Sequence, residues 1–400
     1  LPKMDGNALR EQGGRMLEYV AEHWETQRER RNAVPAVQPG YLKDLVPLDP
    51  PVYPEEWSEI FGDLEKVIMQ GHAHWNHPLF FSFYPTACSY PAVVGDILAG
   101  GIAALGFSWQ ACPSMTELEQ AVLDWLVRCA GLPEHFLNSH PGPGCGIIQN
   151  TAGESTMVAM LAARARKVKC LKGEGSAKDR TPLIAESYSD YTIPSLHDPT
   201  VFANFVAYTA DQAHITVEKD ALMCGVTLRK LKTTREGYEG GNFTLTAQTL
   251  EAAIHEDRAR GLVPFFLAAT IGYTSTCGKD NIKDLAEVCN REGIWTHVDA
   301  AYAGAYMICP ELRESLGADG LELVDSFNFN AHKTLLTNFD CAPMWFKDGT
   351  EAEEYFKINS VYLKSTEGAR DYRNTLGINI LYPSICRTIS THTAFSWLER

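Results

Sequence analysis

Two ionisable side chains follow short apolar runs of the kind that form buried strands. Asp299 comes directly after residues 294–298, and Lys333 follows the run 326–330. A carboxylate at the end of a buried strand is costly unless it is paired or functional. A buried lysine has a pKa shifted toward neutrality, which makes its amine a nucleophile that can form a Schiff base. Each residue alone also fits an ordinary role, a salt bridge or helix cap for Asp299 and a solvent-exposed amine for Lys333.

A turn made of small residues lies earlier in the chain. The apolar run 146–149 leads through Thr151, Ala152 and Gly153 into a helical pattern. Thr151 and Glu154 have the spacing of a capping box, and small residues leave backbone N–H groups open to an anion such as a phosphate. Ordinary helix caps have the same pattern, so the turn indicates a phosphate site only together with the other residues.

The combination of these parts favours pyridoxal phosphate as the cofactor. The lysine would form the imine with the cofactor aldehyde, and the carboxylate would keep the pyridine nitrogen protonated so that the ring accepts electrons. The backbone amides of the turn would hold the phosphate. In an open α/β sheet, polar residues that follow different strands meet at one edge, where ligands bind.

Helical patterns alternate with short apolar runs between about residue 92 and residue 345, which predicts a doubly wound, largely parallel α/β sheet. The predicted helices are 116–129, 154–168, 246–260 and 282–291, and the predicted strands are 146–149, 205–209, 263–269, 294–298 and 326–330. Before this region, residues 7–31 have the pattern of an amphipathic helix, residues 34–40 that of an extended arm, and residues 54–70 that of a second helix.

The composition argues against nucleic acid and anionic membranes as partners. The 400 residues include 35 Lys and Arg against 50 Asp and Glu, a formal net charge of −15. An acidic chain repels phosphate backbones and anionic lipids unless a local basic patch overrides it, and the sequence has no such patch. No apolar run predicts a membrane-spanning helix.

The 11 cysteines lack the density of a disulfide-rich secreted domain, so we expect reduced thiols and a cytoplasmic protein. No acidic residue or cysteine of the kind that completes a metal site accompanies His72, His74 and His77 in the sequence, so no metal is expected.

Several collinear stretches carry motifs that occur together in one enzyme family. They are residues 80–91, 106–109, 116–119, 211–214, 297–304 and 329–333. These stretches resemble the aromatic-L-amino-acid decarboxylases of animals, which are group II pyridoxal-phosphate enzymes, and the similarity extends from about residue 4 to residue 372. The resemblance implies a fold-type I transferase fold, with a mostly parallel sheet flanked by helices, and a homodimer. It also implies decarboxylation of an aromatic L-amino acid, of the dopa, 5-hydroxytryptophan or tyrosine type, to the amine and CO₂.

The resemblance implies a role for each matching residue. Lys333 would form the Schiff base, Asp299 would pair with the pyridine nitrogen, and His214 would stack on the cofactor ring beside the substrate. Tyr362 would lie on a mobile loop that closes over the site and would deliver the proton that replaces the lost carboxylate. The other expected cofactor-binding residues are Thr151, Ala152, Gly153, Thr270, Ala301, Asn330 and His332. The expected substrate pocket consists of Phe83, Pro85, Thr86 and, across a dimer interface, Leu105 and Phe107.

The resemblance also divides the chain into three parts. Residues 1–89 would form a helical and extended dimerisation arm, residues 90–373 the cofactor-binding α/β domain, and residues 374–400 a divergent remnant of a C-terminal domain. The last part does not resemble the family's continuation, which leaves a catalytically impaired, non-enzymatic relative as an alternative.

Two side chains bear on the choice of product. Relatives that convert the substrate to an aldehyde tend to have Asn in place of His214 or Phe in place of Tyr362, so the presence of both residues favours the amine. Decarboxylation of histidine and synthesis of an aromatic acetaldehyde are also compatible with the sequence. Three positions depart from the family pattern: Gly153 where a serine hydroxyl usually meets the phosphate, Phe83 where tyrosine is common, and Thr334 where a bulky residue is usual.

Overall fold

The chain forms two compact units, residues 1–86 and residues 87–400. The computed structural model describes residues 5–84, 88–103, 106, 109, 111–173, 196, 198–235 and 242–356. No helix within these ranges is long and apolar enough to cross a membrane.

The first unit is built around one long helix. Helix α1 (Gly6–Arg30) begins after Asp5, whose carboxylate accepts two backbone N–H groups of the first turn, donors that would otherwise lack a partner. This helix confirms the one predicted over residues 7–31. It is followed by a 3-10 turn (Tyr41–Asp44), helix α2 (Trp57–Asp63) and a π-helical turn (Leu64–Ile68). Glu65 ties the last turn to α1, because its carboxylate accepts the Tyr19 hydroxyl at 2.7 Å and Arg31 Nη1 at 2.9 Å.

A mixed sheet of seven strands forms the centre of the described part of the second unit. Its strands are β1 (Cys145–Gln149), β2 (Phe205–Ala210), β3 (Thr227–Leu231), β4 (Val263–Thr270), β5 (Trp295–Asp299), β6 (Ser326–Asn328) and β7 (Ala342–Phe346). The spatial order is β1-β7-β6-β5-β4-β2-β3. Strand β7 runs antiparallel to both of its neighbours, and the other neighbouring pairs are parallel. The predicted, mostly parallel α/β sheet is therefore confirmed.

Helices pack on both faces of this sheet. The helices of the described part of the second unit are α3 (Tyr90–Gly101), α4 (Pro113–Ala130), α5 (Ala152–Gly173), α6 (Pro199–Phe202), α7 (Thr216–Met223), α8 (Ala247–Ala259), α9 (Ile282–Glu292), α10 (Pro310–Arg313), α11 (Ala331–Thr334) and α12 (Gly349–Phe356). One face carries α4, α8 and α9 over a core that includes Leu123, Phe327 and Trp345. The other face carries α5 over a core that includes Val158 and Phe266. Buried apolar side chains on both faces make the sheet doubly wound.

The sequence patterns missed β3, β7 and several helices, among them α3, α7 and α12. Strand β7 contains Pro343, which has no N–H for a sheet ladder and argues against an interior strand, yet it lies opposite Ile148 of β1. Strand β3 is at the edge of the sheet and is largely exposed, so it lacks an apolar run. Helix α7 has eight residues, too few for a clear helical period. The helix predicted over residues 54–70 is present only as α2 and the π-helical turn that follows it.

Candidate active site

The carboxyl ends of three parallel strands meet at one edge of the sheet. The strand register places Thr270 of β4 beside Asp299 of β5, and Asp299 beside Asn328 of β6. The chain then enters α11, which carries Lys333. Open α/β sheets bind their ligands in the crevice outside this edge. The structure thus brings together the two residues that the sequence indicated for covalent chemistry.

Asp299 is an almost fully buried carboxylate. The residue is 4% exposed, and one carboxylate oxygen accepts the backbone N–H of Ala301 at 3.0 Å. Burial raises the pKa of Asp299, while the Ala301 hydrogen bond and the charges of Lys333 and His214 act in the opposite direction. A buried carboxylate with a raised pKa binds a proton or a cationic partner strongly. Asp299 is therefore suited to pair with a protonated ring nitrogen.

Burial favours the neutral form of the Lys333 amine. Burial lowers the pKa of Lys333, and the Asp299 carboxylate partly offsets this. The neutral amine is the form that attacks a carbonyl carbon. Two hydrogen bonds fix the backbone at Lys333 and at the residue before it. The Lys333 N–H donates to the carbonyl of Asn330 at 3.2 Å, and Nδ1 of the buried His332 accepts the backbone N–H of Cys341 at 2.7 Å.

The turn before α5 forms one of the two hydrogen bonds of the predicted capping box, and Glu154 accepts the N–H of Asn150 in place of that of Thr151. The backbone N–H of Glu154 donates to the Thr151 hydroxyl at 3.3 Å, and the Glu154 carboxylate accepts the backbone N–H of Asn150 at 3.0 Å. Helix α5 begins at Ala152, followed by Gly153. The turn is held by its own side chains, so the backbone N–H groups of the first helical turn are available to an anion.

His214 follows β2 and is fixed by the residue two positions later. Its Nδ1 lies 2.9 Å from the Thr216 hydroxyl oxygen and 3.3 Å from the Thr216 backbone nitrogen. A backbone N–H can only donate, so Nδ1 is the acceptor and Nε2 carries the ring proton. A Cβ placed on Gly153 would lie 3.3 Å from Thr216 Cγ2. Thr216 therefore lies between His214 and the turn before α5.

Asp280 is a positioning residue that the sequence patterns missed. It is 1% exposed and accepts the backbone N–H groups of Thr270 at 2.7 Å and Leu245 at 2.9 Å, as well as the hydroxyl of Tyr273. Burial raises the pKa of Asp280 to about 6. These bonds fix the end of β4. Asp280 lies in a polar loop with no apolar run before it, so no sequence signal marks it.

The predicted substrate pocket stays a prediction. Phe83 belongs to the first unit, where it is 77% exposed and stacks on Trp75 with ring centroids 5.3 Å apart. The remaining predicted pocket residues and the predicted proton donor lie outside the described residues; they are Pro85, Thr86, Leu105, Phe107 and Tyr362.

Comparison with known families agrees with this geometry. The family model of the pyridoxal-dependent decarboxylase conserved domain matches residues 39–380. The chain belongs to this family. Among curated decarboxylases, the aromatic-L-amino-acid decarboxylase of Mus musculus is 43% identical over 361 residues, which cover 90% of this chain and 70% of that protein. The histidine decarboxylase of Homo sapiens is 41% identical over 362 residues, which cover 90% of this chain and 51% of that protein. The predicted membership is confirmed.

Solved decarboxylase structures share the fold. The tryptophan decarboxylase of Catharanthus roseus in complex with L-tryptophan has a TM-score of 0.83 at 31% identity, covering 99% of this chain and 76% of that chain. The TDC of Oryza sativa with PLP and tryptamine has a TM-score of 0.85 at 28% identity, with the same two coverages of 99% and 76%. These similarities confirm the predicted fold-type I class.

The sheet edge fits pyridoxal phosphate, the cofactor of this decarboxylase family. Thr270 Oγ1 and Asn330 Oδ1 are buried and have no hydrogen-bond partner among the described residues. Buried polar atoms without a partner cost free energy that a bound ligand can recover. Asp299 offers an anion to a ring nitrogen, and Lys333 offers an amine to an aldehyde. The first turn of α5 offers N–H groups to a phosphate.

Proposed function

We propose that this protein converts an aromatic L-amino acid, of the dopa, 5-hydroxytryptophan or tyrosine type, to the corresponding amine and CO₂. The observation that carries the proposal is that the buried Asp299 and Lys333 lie at the carboxyl edge of the sheet and act on each other electrostatically. In the reaction the bond between Cα and the carboxylate breaks, CO₂ leaves, and a proton takes its place on Cα. The 43% identity to an aromatic-L-amino-acid decarboxylase supports an aromatic substrate.

Three regions of the chain would hold the cofactor. Bound pyridoxal phosphate supplies an electron-poor ring that takes up the electron pair left by the departing CO₂. Asp299 would hold a proton at the ring nitrogen, and its raised pKa supports that role. Lys333 would bind the aldehyde carbon and release it to the substrate amine. Thr151, Ala152 and Gly153 would present the phosphate site, with Thr270, Ala301, Asn330 and His332 completing the surroundings.

His214 and Tyr362 would act on the substrate. With Nδ1 held by Thr216, His214 would present its Nε2–H at the exposed side of the site, where it would contact the ring or the substrate carboxylate. Tyr362 would close over the site and donate the proton to Cα. Exclusion of water during this step would prevent loss of the reactive carbanion to side reactions.

Two further activities would use the same cofactor residues. Histidine decarboxylation is supported by the 41% identity to a histidine decarboxylase. Aromatic acetaldehyde synthesis would release hydrogen peroxide and ammonia along with CO₂. A catalytically impaired relative would bind cofactor and release no CO₂ from any of these amino acids.

Product analysis separates these activities. The purified protein, loaded with pyridoxal phosphate, is incubated with dopa, 5-hydroxytryptophan, tyrosine or histidine, and amine, CO₂, peroxide and ammonia are measured. We expect amine from at least one aromatic substrate, no product from Lys333→Ala, and normal activity from Lys347→Ala, which changes an exposed lysine at the opposite edge of the sheet. Histamine alone, or peroxide in step with CO₂, would replace the proposal with the corresponding activity. A folded protein that binds the cofactor but releases no CO₂ would refute enzymatic function.

A homodimer is part of the proposal. Val94, Ile97 and Leu98 lie on one face of α3 and are about half exposed, at 53%, 52% and 51%. A contiguous exposed apolar face is typical of a protein–protein interface. Light scattering of the purified protein should give the mass of a dimer, and Ile97→Glu should shift the mass toward that of the monomer.

We also propose a cytoplasmic location, supported by the reduced thiols expected from the composition, and a catecholamine product if dopa is the substrate.

A further inference from the structure

A second buried carboxyl group lies close to the cofactor site and has no role in the reaction described above. Asp220 of α7 is 3% exposed, and its Oδ2 has no hydrogen-bond partner among the described residues. Asp residues are almost never this buried unless they are paired or functional. Asp220 therefore calls for a chemical explanation.

Helix α7 places Asp220 one turn after Thr216, the residue that packs against the phosphate turn. Thr216 lies one turn earlier on the same face of α7, because residues four apart share a helix face. Thr216 Cγ2 is 3.3 Å from the position of a Cβ on Gly153, at the start of α5. The Asp299 carboxylate also acts on Asp220 electrostatically. Asp220 thus lies one helical turn from the residue that packs against the proposed phosphate turn, and within electrostatic range of Asp299.

Asp220 is the member of this carboxyl pair that keeps a proton. Burial and the charge of Asp299 raise the pKa of Asp220 to about 8, and Lys219 on the same helix lowers it only in part. Asp299, in contrast, accepts an N–H from Ala301. Charged groups on the elements packed against α7 bond to other partners, namely Arg164 of α5 to the carbonyl of Cys224 and Lys230 of β3 to Glu218. When two carboxyl groups lie close together, the one with fewer donors is protonated first.

We propose that Asp220 is a positioning residue that supports the cofactor site as a neutral acid, and that its ionisation weakens the binding of pyridoxal phosphate in alkaline solution. An ionised Asp220 adds a negative charge beside Asp299 and beside the phosphate dianion, in a region where water screens charge poorly. By linkage, a bound phosphate makes Asp220 hold its proton more tightly by the same factor. The inference rests on the proposed placement of the phosphate at residues 151–153.

The affinity for pyridoxal phosphate as a function of pH tests the proposal. The cofactor is titrated into the apoprotein from about pH 6.5 to about pH 9.5, a range that spans the transition. In the wild type we expect the Kd to rise above about pH 8 by up to about tenfold per pH unit, because one proton is linked to binding. Asp220→Asn should lack this part of the rise. Glu218→Gln, on the same helix but paired with Lys230, should keep the wild-type profile.

Thermal unfolding of the apoprotein gives a second readout without the cofactor. A carboxyl group whose pKa is higher in the folded state binds an extra proton there, so its contribution to stability falls as pH rises from about 4 to about 8. The Tm of Asp220→Asn relative to the wild type should therefore increase through this range and then level off. If the asparagine variant does not fold, Asp220→Ser replaces it in both measurements. Identical Kd profiles in wild type and variant, or a Tm difference that is constant with pH, would overturn the proposal. Neither measurement uses turnover, so both are readable even if the proposed decarboxylation fails.

Discussion

Removing the Thr216 hydroxyl measures how much the orientation of His214 contributes to the reaction. In Thr216→Val the 2.9 Å contact with His214 Nδ1 is lost, while the methyl group next to Gly153 remains. A neutral hydrogen bond contributes about 0.5–1.5 kcal/mol, which corresponds to a rate change of about 2- to 13-fold. The Thr216 backbone N–H still faces Nδ1 at 3.3 Å, so we expect a loss within this range and a larger loss for His214→Ala.

The assay is kcat/KM for decarboxylation in a double-mutant cycle. Thr216→Val should lower kcat/KM in the wild type and have no effect in the His214→Ala background, because the hydroxyl acts through the imidazole. Thr227→Val, which changes an exposed threonine at the start of β3, serves as the control and should leave activity unchanged. An equal loss in both backgrounds, or no loss in either, would refute the reasoning that Thr216 positions His214.

Three further predictions concern Lys333, the buried Asp280 and the core residue Phe327. Borohydride reduction of the cofactor-loaded protein should leave a pyridoxyl group on Lys333 and on no other lysine, by peptide mapping, and Lys333→Ala should give no such adduct. Burial raises the pKa of Asp280 from 3.8 to about 6, so its stabilising contribution falls as pH rises through this interval. The unfolding free energy of the wild type should drop by about 3 kcal/mol relative to Asp280→Asn between about pH 4 and about pH 6. Urea unfolding at a series of pH values measures this difference. Unfolding free energies that change with pH in the same way in both proteins would contradict the prediction. Phe327 is fully buried, and Phe327→Ala should lower the free energy of unfolding by about 3–5 kcal/mol, measured with denaturant. A decrease below about 1 kcal/mol would contradict this and show that the surrounding core collapses into the space of the lost ring.

The reactive centre could be predicted because it follows the geometry of parallel strands. Asp299 and Lys333 come after apolar runs, and the ends of parallel strands meet at one edge whatever the details of packing. The capping pattern of Thr151 and Glu154 is equally local, since both hydrogen bonds lie within one helical turn. Local spacing and the parallel arrangement of the strands were enough to place these residues.

The residues that support the centre could not be predicted, because tertiary packing alone buries them. No sequence pattern marks Asp220 or Asp280, yet they are 3% and 1% exposed. Thr216 has a role only because α7 packs against the turn at Gly153.

The most direct test of the account is the product stoichiometry of one turnover in deuterated water. With an aromatic L-amino acid, the protein should release one CO₂ for each amine formed, and each amine should carry one deuterium on Cα in place of the carboxylate. Lys333→Ala should release neither product. Release of aldehyde, peroxide and ammonia, or the absence of CO₂ from a folded protein that binds pyridoxal phosphate, would contradict the proposed decarboxylation at this site.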